Sequence, residues 1–297
     1  MTPFLHTAED AVAIFLRAAE LNIQTQCREG NLLILNKENA KDVLLTGDLH
    51  GHVENYFSIL KLADMEKYPS RHLVYQEICH GGPQLPDWGG CCSHRMLTEV
   101  AKMKVRFPQR VHHIMSNHEL AELTRYPIQK NRQFLNSAFA AGMRHDYGVH
   151  AEDVRIAMLY YLETCPLAVK ISGNIFFSHS IPNLHLDPLH PFDDSIFYRS
   201  LDPGSDFIQG GSVYRLVWGR EYSQANADEF AKMVGAEILV CGHEPCAEGC
   251  KFPNSRQVII DCSGDVACCM LIPTSMTLMQ WNFRTFVVPL ENQSKAE

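Results

Sequence analysis

The sequence predicts an α/β (α+β) protein on three observations. Short apolar runs alternate with stretches at helical spacing through about the first 115 residues. From Leu167 onward strand signals dominate. Several strand-like runs also end on polar, metal-competent side chains, and in open α/β sheets the loops leaving the carboxyl ends of strands converge on one crevice.

Thr7-Ala8-Glu9-Asp10, followed by Val12, Phe15, Leu16, Ala19 and Leu21, reads as a capped amphipathic helix that packs on the core. Leu32–Leu35 and residues 43–46 are apolar runs bounded by Asn, Lys and Gly, as suits strands of a buried sheet, and the second ends at Gly47-Asp48. Tyr56, Ile59, Leu60 and Leu62 keep helical spacing, residues 72–75 read as a strand, 93–107 as a helix and 111–115 as a strand. Between 120 and 164, Ala138, Met143, Val154, Met158 and Leu162 recur at helical spacing with few strand signals, which predicts a helical cap. Residues 167–171 and 175–177 around a Gly173-Asn174 turn predict a hairpin. Further strands are expected at 238–240, 258–260, 270–272 and 277–281, with one helix near 226–234. No repeat or Pro/Gly/Ser linker divides the chain, so a single domain over 1–297 is expected.

Composition narrows the function. With 46% hydrophobic and 20% charged residues the chain is of globular type. No stretch approaches the ~18 consecutive apolar residues of a spanning helix, and acids interrupt the apolar start, so neither a membrane protein nor a secreted precursor is expected. The 34 acidic residues outnumber the 26 basic ones, giving a net charge of −8, and nucleic acid is a poor partner for such a surface. Eleven cysteines, odd in number and without framework spacing, read as reduced thiols of a cytoplasmic protein.

Metal-type ligands recur after the strands: Asp48 and His50, then Glu77, then Asn117-His118-Glu119, His179, and His243. Singly, each has an ordinary structural explanation as a cap, a surface acid or a core histidine. Their conjunction favours a metal site. Carboxylate, imidazole and amide oxygen together suit Mn, Fe or Zn, whereas Ca prefers oxygens alone and structural Zn prefers closed thiolates. Cys241, Cys246 and Cys250 lack a Cys-x-x-Cys pair and read as small buried hydrophobes, as do Cys91-Cys92 and Cys268-Cys269.

Gly47-Asp48-Leu49-His50-Gly51, Asn117-His118-Glu119, Ser178-His179-Ser180 and Cys241-Gly242-His243-Glu244 resemble the motifs of the calcineurin-like metallophosphoesterases. The string is most similar to the phosphoprotein phosphatases, the family of the serine/threonine phosphatases. The stretches 101–108, 162–168 and Leu216-Val217-Trp218 extend the likeness from about Asn31 to the end. The resemblance implies a four-layer metallophosphoesterase sandwich, in which two mixed β-sheets pack face to face with flanking helices. It also implies a dinuclear centre: Asp48 and His50 on one metal, Asn117, His179 and His243 on the other, and Glu77 between them.

The chain departs from the family's Gly-Asp-x-x-Asp-Arg-Gly, having Gln76-Glu77-Ile78-Cys79-His80-Gly81-Gly82 in its place. The bridging Asp is thus Glu77, the acid that orients the catalytic histidine is His80, and the phosphate-clamping arginine is Gly81. Ser116 replaces the first glycine of Gly-Asn-His-Glu, Ser180-Ile181 replaces Gly-Gly, and 262–266 replaces the late substrate loop. The resemblance implies hydrolysis of phosphomonoesters by a metal-activated water, on a phosphorylated protein or a small phosphate ester. His118 is the expected general acid, oriented by Glu119, His80 or a water. Arg220 is the first candidate for holding phosphate, together with Asn117, and Lys130 with Arg132 the second. A dinucleoside polyphosphate or nucleotide hydrolase, and a phosphatase-like binding protein without turnover, are the alternative readings.

Overall fold

Strand alternation decides which side chains meet inside this molecule, whose computed structural model describes residues 4–85, 89–172, 174–276 and 282–291. Successive side chains of a strand point to opposite faces. Leu33, Leu35, Val43, Leu45, Val74, Val169, Ile171, Phe177, Val240, Val258, Ile260, Met270 and Ile272 form one buried cluster. Their strand neighbours Leu32, Leu44, Leu73, Ala168, Phe176, Leu239 and Ile259 belong to the other, together with the helices. The first cluster draws on both sheets and is the layer where they face one another.

The five-stranded sheet runs Val287–Pro289, Cys268–Pro273, Asp42–Asp48, Arg71–Gln76, Val111–His113. Its last three strands are parallel, and helices Val53–Ala63 and Ser93–Arg106 connect them. The seven-stranded sheet runs Arg28–Glu29, Leu32–Leu35, Ala168–Ile171, Ile175–Ser178, Ile238–Cys241, Gln257–Ile260, Cys250–Lys251. Helices cover both outer faces: Tyr56 of Val53–Ala63 stacks on Tyr75 at 6.0 Å, and Phe230 of Gln224–Val234 meets Phe176 edge-on at 5.8 Å. These are the four layers that the resemblance implied.

The N-terminal helix, Ala8–Ile23, is capped by Thr7, whose hydroxyl accepts the Asp10 N–H. It buries Phe15 against Tyr161 of helix Ala151–Glu163. The expected strand at 111–115 stops at His113, because the Met115 N–H leaves the sheet ladder to bond the Pro166 carbonyl (2.9 Å). The hairpin joining Ala168–Ile171 to Ile175–Ser178 forms antiparallel as expected; Gly173 of its turn and the strand expected at 277–281 lie outside the described residues.

The 120–164 region differs from expectation in one respect. Helices Asn117–Thr124, Leu135–Tyr147 and Ala151–Glu163 are present, but a hairpin of Gln129–Lys130 and Gln133–Phe134 interrupts them. Its turn residues Asn131 and Arg132 both have positive φ, 51° and 64°, the backbone of a tight two-residue β-turn. All eleven cysteines are free thiols, nine of them buried, consistent with packing. No helix among the described residues is long and apolar enough to cross a membrane.

Candidate functional site

The strands deliver their terminal side chains to one place. Asp48 ends Asp42–Asp48, Glu77 follows Arg71–Gln76, and His179 follows Ile175–Ser178. His243 lies just past Ile238–Cys241, and Asn117 opens helix Asn117–Thr124 behind the N-cap Ser116. Four site residues have left-handed backbone: His50 (φ 44°), Glu77 (47°), His80 (66°) and His243 (71°). Such conformations cost on the order of 1–3 kcal/mol each unless the surroundings fix them, and they gather at functional sites. Here the surroundings do fix them. The Glu77 carbonyl accepts the N–H groups of Leu49 and His50, both at 2.9 Å. Glu119 Oε1 accepts those of Ile78 and Cys79 at 2.7 and 3.0 Å, and Ser93 Oγ accepts that of His80 at 2.9 Å. Gly242 is obligatory because a Cβ there would fall on the Asp48 carboxylate.

All six expected metal ligands meet. Asn117 Oδ1 lies 2.6 Å from His179 Nε2 and 3.0 Å from His243 Nδ1. His179 Nε2 is 3.0 Å from Glu77 Oε2, and His50 Nε2 is 3.3 Å from Glu77 Oε1. Two groups have ligand atoms within 4.8 Å of one another, Asp48–Glu77–His179 and His50–Glu77–His118, and Glu77 is common to both. The histidine tautomers are set from behind. His179 Nδ1–H donates to Gln76 Oε1 (2.8 Å), whose amide nitrogen donates to the Thr46 carbonyl (2.9 Å), and His50 Nδ1–H donates to the Cys79 carbonyl (3.0 Å). Both Nε2 lone pairs therefore face the cluster, the arrangement metal-binding imidazoles need. Sequence reasoning missed Gln76, which stands where the family carries glycine.

Electrostatics point the same way. Asp48 Oδ1, Glu77 Oε2 and His243 Nε2 are buried without hydrogen-bond partners. Orphaned polar atoms cost about 1–3 kcal/mol each, and a cation would satisfy the carboxylate oxygens. Burial, then the neighbouring Glu77, pushes the Asp48 carboxyl well above its usual range. Burial acts the same way on Glu77, but the imidazoles of His179, His118 and His50 outweigh it and hold that carboxyl well below. This donor set fits the Mn, Fe or Zn class.

His118 stands beside the cluster with Nε2 3.7 Å from Glu77 Oε1. Its Nδ1 is 2.8 Å from His80 Nδ1, and His80 Nε2 donates to Glu122 Oε1 at 2.8 Å. Asn136 Nδ2 also donates to that oxygen (2.9 Å). Of the partners considered for His118, the structure selects His80; Glu119 instead bonds the Ser116 hydroxyl and the 78–79 backbone. Glu122 was not foreseen, although its spacing of four from His118 on one helix was a usable signal.

A cavity of ≈ 1000 Å³ opens over these residues, with Trp218, Arg220 and the hairpin's Gln129, Lys130 and Asn131 among its lining. Arg220 is half exposed at the rim, its guanidinium bonded to Glu244, which Lys251 also approaches at 3.3 Å. Lys130 lines the cavity and Arg132 lies outside its lining. At Gly81, φ is 135° and a Cβ would come 2.5 Å from the His50 carbonyl, so the backbone leaves no room for a side chain.

No family model matches the chain. An Encephalitozoon cuniculi protein named "Probable serine/threonine-protein phosphatase" is 20% identical over 240 residues, 76% of this chain. The match spans about half of that relative, 47% of its length. A Saccharomyces cerevisiae protein serine/threonine phosphatase with similarity to human phosphatase PP5 superposes with a TM-score of 0.69 at 16% identity, over 96% of this chain and 90% of that one. A cold-active protein-tyrosine phosphatase of a psychrophilic Shewanella species gives a TM-score of 0.52 at 15% identity, over 90% and 84%. With two mixed sheets face to face and helices outside both, the chain has a phosphoprotein phosphatase-like fold.

Proposed function

We propose that this protein is a metal-dependent phosphomonoesterase of the serine/threonine phosphatase type. The observation that carries the reading is the convergence of Asp48, His50, Glu77, Asn117, His179 and His243, with buried unpartnered oxygens on both carboxylates, beneath an open cavity. Those six side chains would hold two metal ions, which when bound supply Lewis acidity and an activated water for attack on phosphorus.

This chain's own groups do the rest. His118 turns Nε2 to the cavity and delivers a proton to the departing oxygen, since an alkoxide expelled at neutral pH needs a general acid. His80 keeps that ring in place: with Nε2–H held by Glu122, its Nδ1 is a lone pair that accepts the His118 Nδ1–H, while burial lowers the His118 imidazole to about 3 against the pull of Glu77. A His–Glu pair thus does the work of the family's single acid. Arg220 is the cation for the phosphate oxygens after release from Glu244, with Asn117 and Lys130 lining the same cavity. The open mouth suits a phosphorylated side chain or a small phosphate ester.

The test is elemental analysis of purified protein, with p-nitrophenyl phosphate turnover followed before and after chelation and Mn addition. About two metals per chain with chelator-sensitive turnover is the expected result; metals without turnover on any phosphomonoester would turn the reading to a binding protein.

A further inference from the structure

At the other end of the five-stranded sheet a second group of ligand-type side chains meets, and none of them takes part in the chemistry above. His72 is near the start of Arg71–Gln76, and His112 is in the neighbouring parallel strand Val111–His113, where it pairs with Val74. Both imidazoles thus share the face of Val74, towards the other sheet. Cys27, between helix Ala8–Ile23 and strand Arg28–Glu29, packs at the edge of that same cluster. His72 and Gln76 are four residues apart on one strand, so this point is roughly 13 Å from the strand ends.

We propose that Cys27, His72 and His112 form a separate mononuclear site for a zinc-type transition-metal ion. The Cys27 sulfur and one nitrogen of each ring lie within 4.8 Å of one another. His72 Nδ1 and His112 Nε2 are 3.1 Å apart. At ordinary zinc–nitrogen bond lengths, two imidazole nitrogens on one tetrahedral ion are about 3.3 Å apart. The supporting hydrogen bond is present: His72 Nε2–H donates to the Asn39 carbonyl at 3.2 Å, which leaves Nδ1 as the lone-pair nitrogen. Burial holds His72 at about 4 and His112 well below its ordinary value, so both rings are in the neutral form that binds metals.

Burial pushes the Cys27 thiol up to about 11, against the pull of Lys104, so it keeps its proton until an ion displaces it. Lys104 donates to Thr25 Oγ1 at 2.7 Å and is itself lowered by burial to about 8, so it is the nearby cation most ready to become neutral as a metal ion enters. Cys27 is only half-buried, which provides the entry path. Three protein ligands leave one position for water.

The competing account is that His72 and His112 are merely hydrogen-bonded to each other, with Cys27 a bystander. Cobalt distinguishes the two, because the strand-end cluster contains no thiolate. Full-length protein, stripped by chelator and titrated with Co(II), should develop a thiolate-to-cobalt charge-transfer absorption in the near ultraviolet. The band should reach its limit with about one equivalent per chain and be displaced by zinc. It should disappear in Cys27→Ser and in His72→Gln, while Cys27→Ser retains its thermal midpoint and the remaining cobalt uptake. Absence of the band in the unaltered protein, or its persistence in Cys27→Ser, overturns the proposal. Both outcomes stand apart from phosphatase activity, which this site does not require.

Discussion

Replacing His80 by alanine removes the acceptor of the His118 Nδ1–H and deprives Glu122 of its imidazole. The rest of the His118 environment stays, including the approach of Nε2 to Glu77. On the proposed mechanism the lost interaction matters most when His118 carries its extra proton, at the moment of donation. Hydrogen bonds to charged groups contribute about 1.5–3 kcal/mol, and about 1.4 kcal/mol is tenfold in rate. His80→Ala should therefore slow turnover roughly 10- to 150-fold on a substrate whose leaving group needs a proton. The assay compares an alkyl phosphate with p-nitrophenyl phosphate, whose phenolate departs unprotonated. The alkyl ester should show the full loss and the nitrophenyl ester little of it. His118→Ala should give the same pattern with a larger factor, about 10²–10⁴, and Glu122→Gln the same pattern with a smaller one. Metal content should not change in any of the three. Equal losses on both esters would refute the reasoning, because His80 would then shape the cleft rather than hold an acid.

Asp48→Ala and His179→Ala should abolish turnover and metal content together; full activity and metal content in Asp48→Ala would rule out the proposed centre. Gly81→Arg restores the family residue in sequence but not in space, since its Cβ meets the His50 carbonyl. It should lower the thermal midpoint without improving KM for phosphate esters. Gly242→Ala places a methyl group on the Asp48 carboxylate and should lose metal affinity, read by chelator competition, while secondary structure by circular dichroism is kept. The Asp146 side chain is 2% exposed and bonds Arg95 at 2.5 and 2.7 Å and His94 at 2.8 Å. Burial raises its pKa, but the bonds from His94 and Arg95 prevail and hold it well below the ordinary value. A depressed folded pKa means stability that is present above the unfolded value of about 3.9 and lost as pH falls through the folded one. Asp146→Asn should cost about 3–5 kcal/mol at neutral pH, and its unfolding midpoint should vary less than that of the unaltered protein below about pH 4.

The strand-end cluster was legible because its side chains follow apolar runs, and a strand's length and direction fix where its last residue goes. Asp48, Glu77 and His179 needed little more than that. His80 was among the partners considered for His118, but Glu122 behind it was not legible: His80 and Glu122 are 42 residues apart, and only the meeting of the 77–82 loop with helix Asn117–Thr124 joins them. The Gln129–Phe134 hairpin was missed because two-residue strands carry no periodicity; Asn131, a residue that tolerates left-handed backbone, was its one local signal. Gln76 was overlooked because its work is done one bond behind the ligands, where sequence offers no pattern. The 111–115 run was over-extended because apolar Ile114 and Met115 continue the strand's composition while Met115 takes a different hydrogen-bond partner.

On the proposed function, the pairing of Arg220 with Glu244 would make phosphate binding an exchange. The incoming dianion does not meet a waiting cation; it must displace a carboxylate already seated on the guanidinium, with Lys251 at hand to receive the displaced group. The affinity gained is then the difference between two anions for one arginine. On that proposal a doubly charged phosphate would compete better than a singly charged ester, so the resident glutamate would act as a threshold that favours monoesters over diesters before any bond is broken.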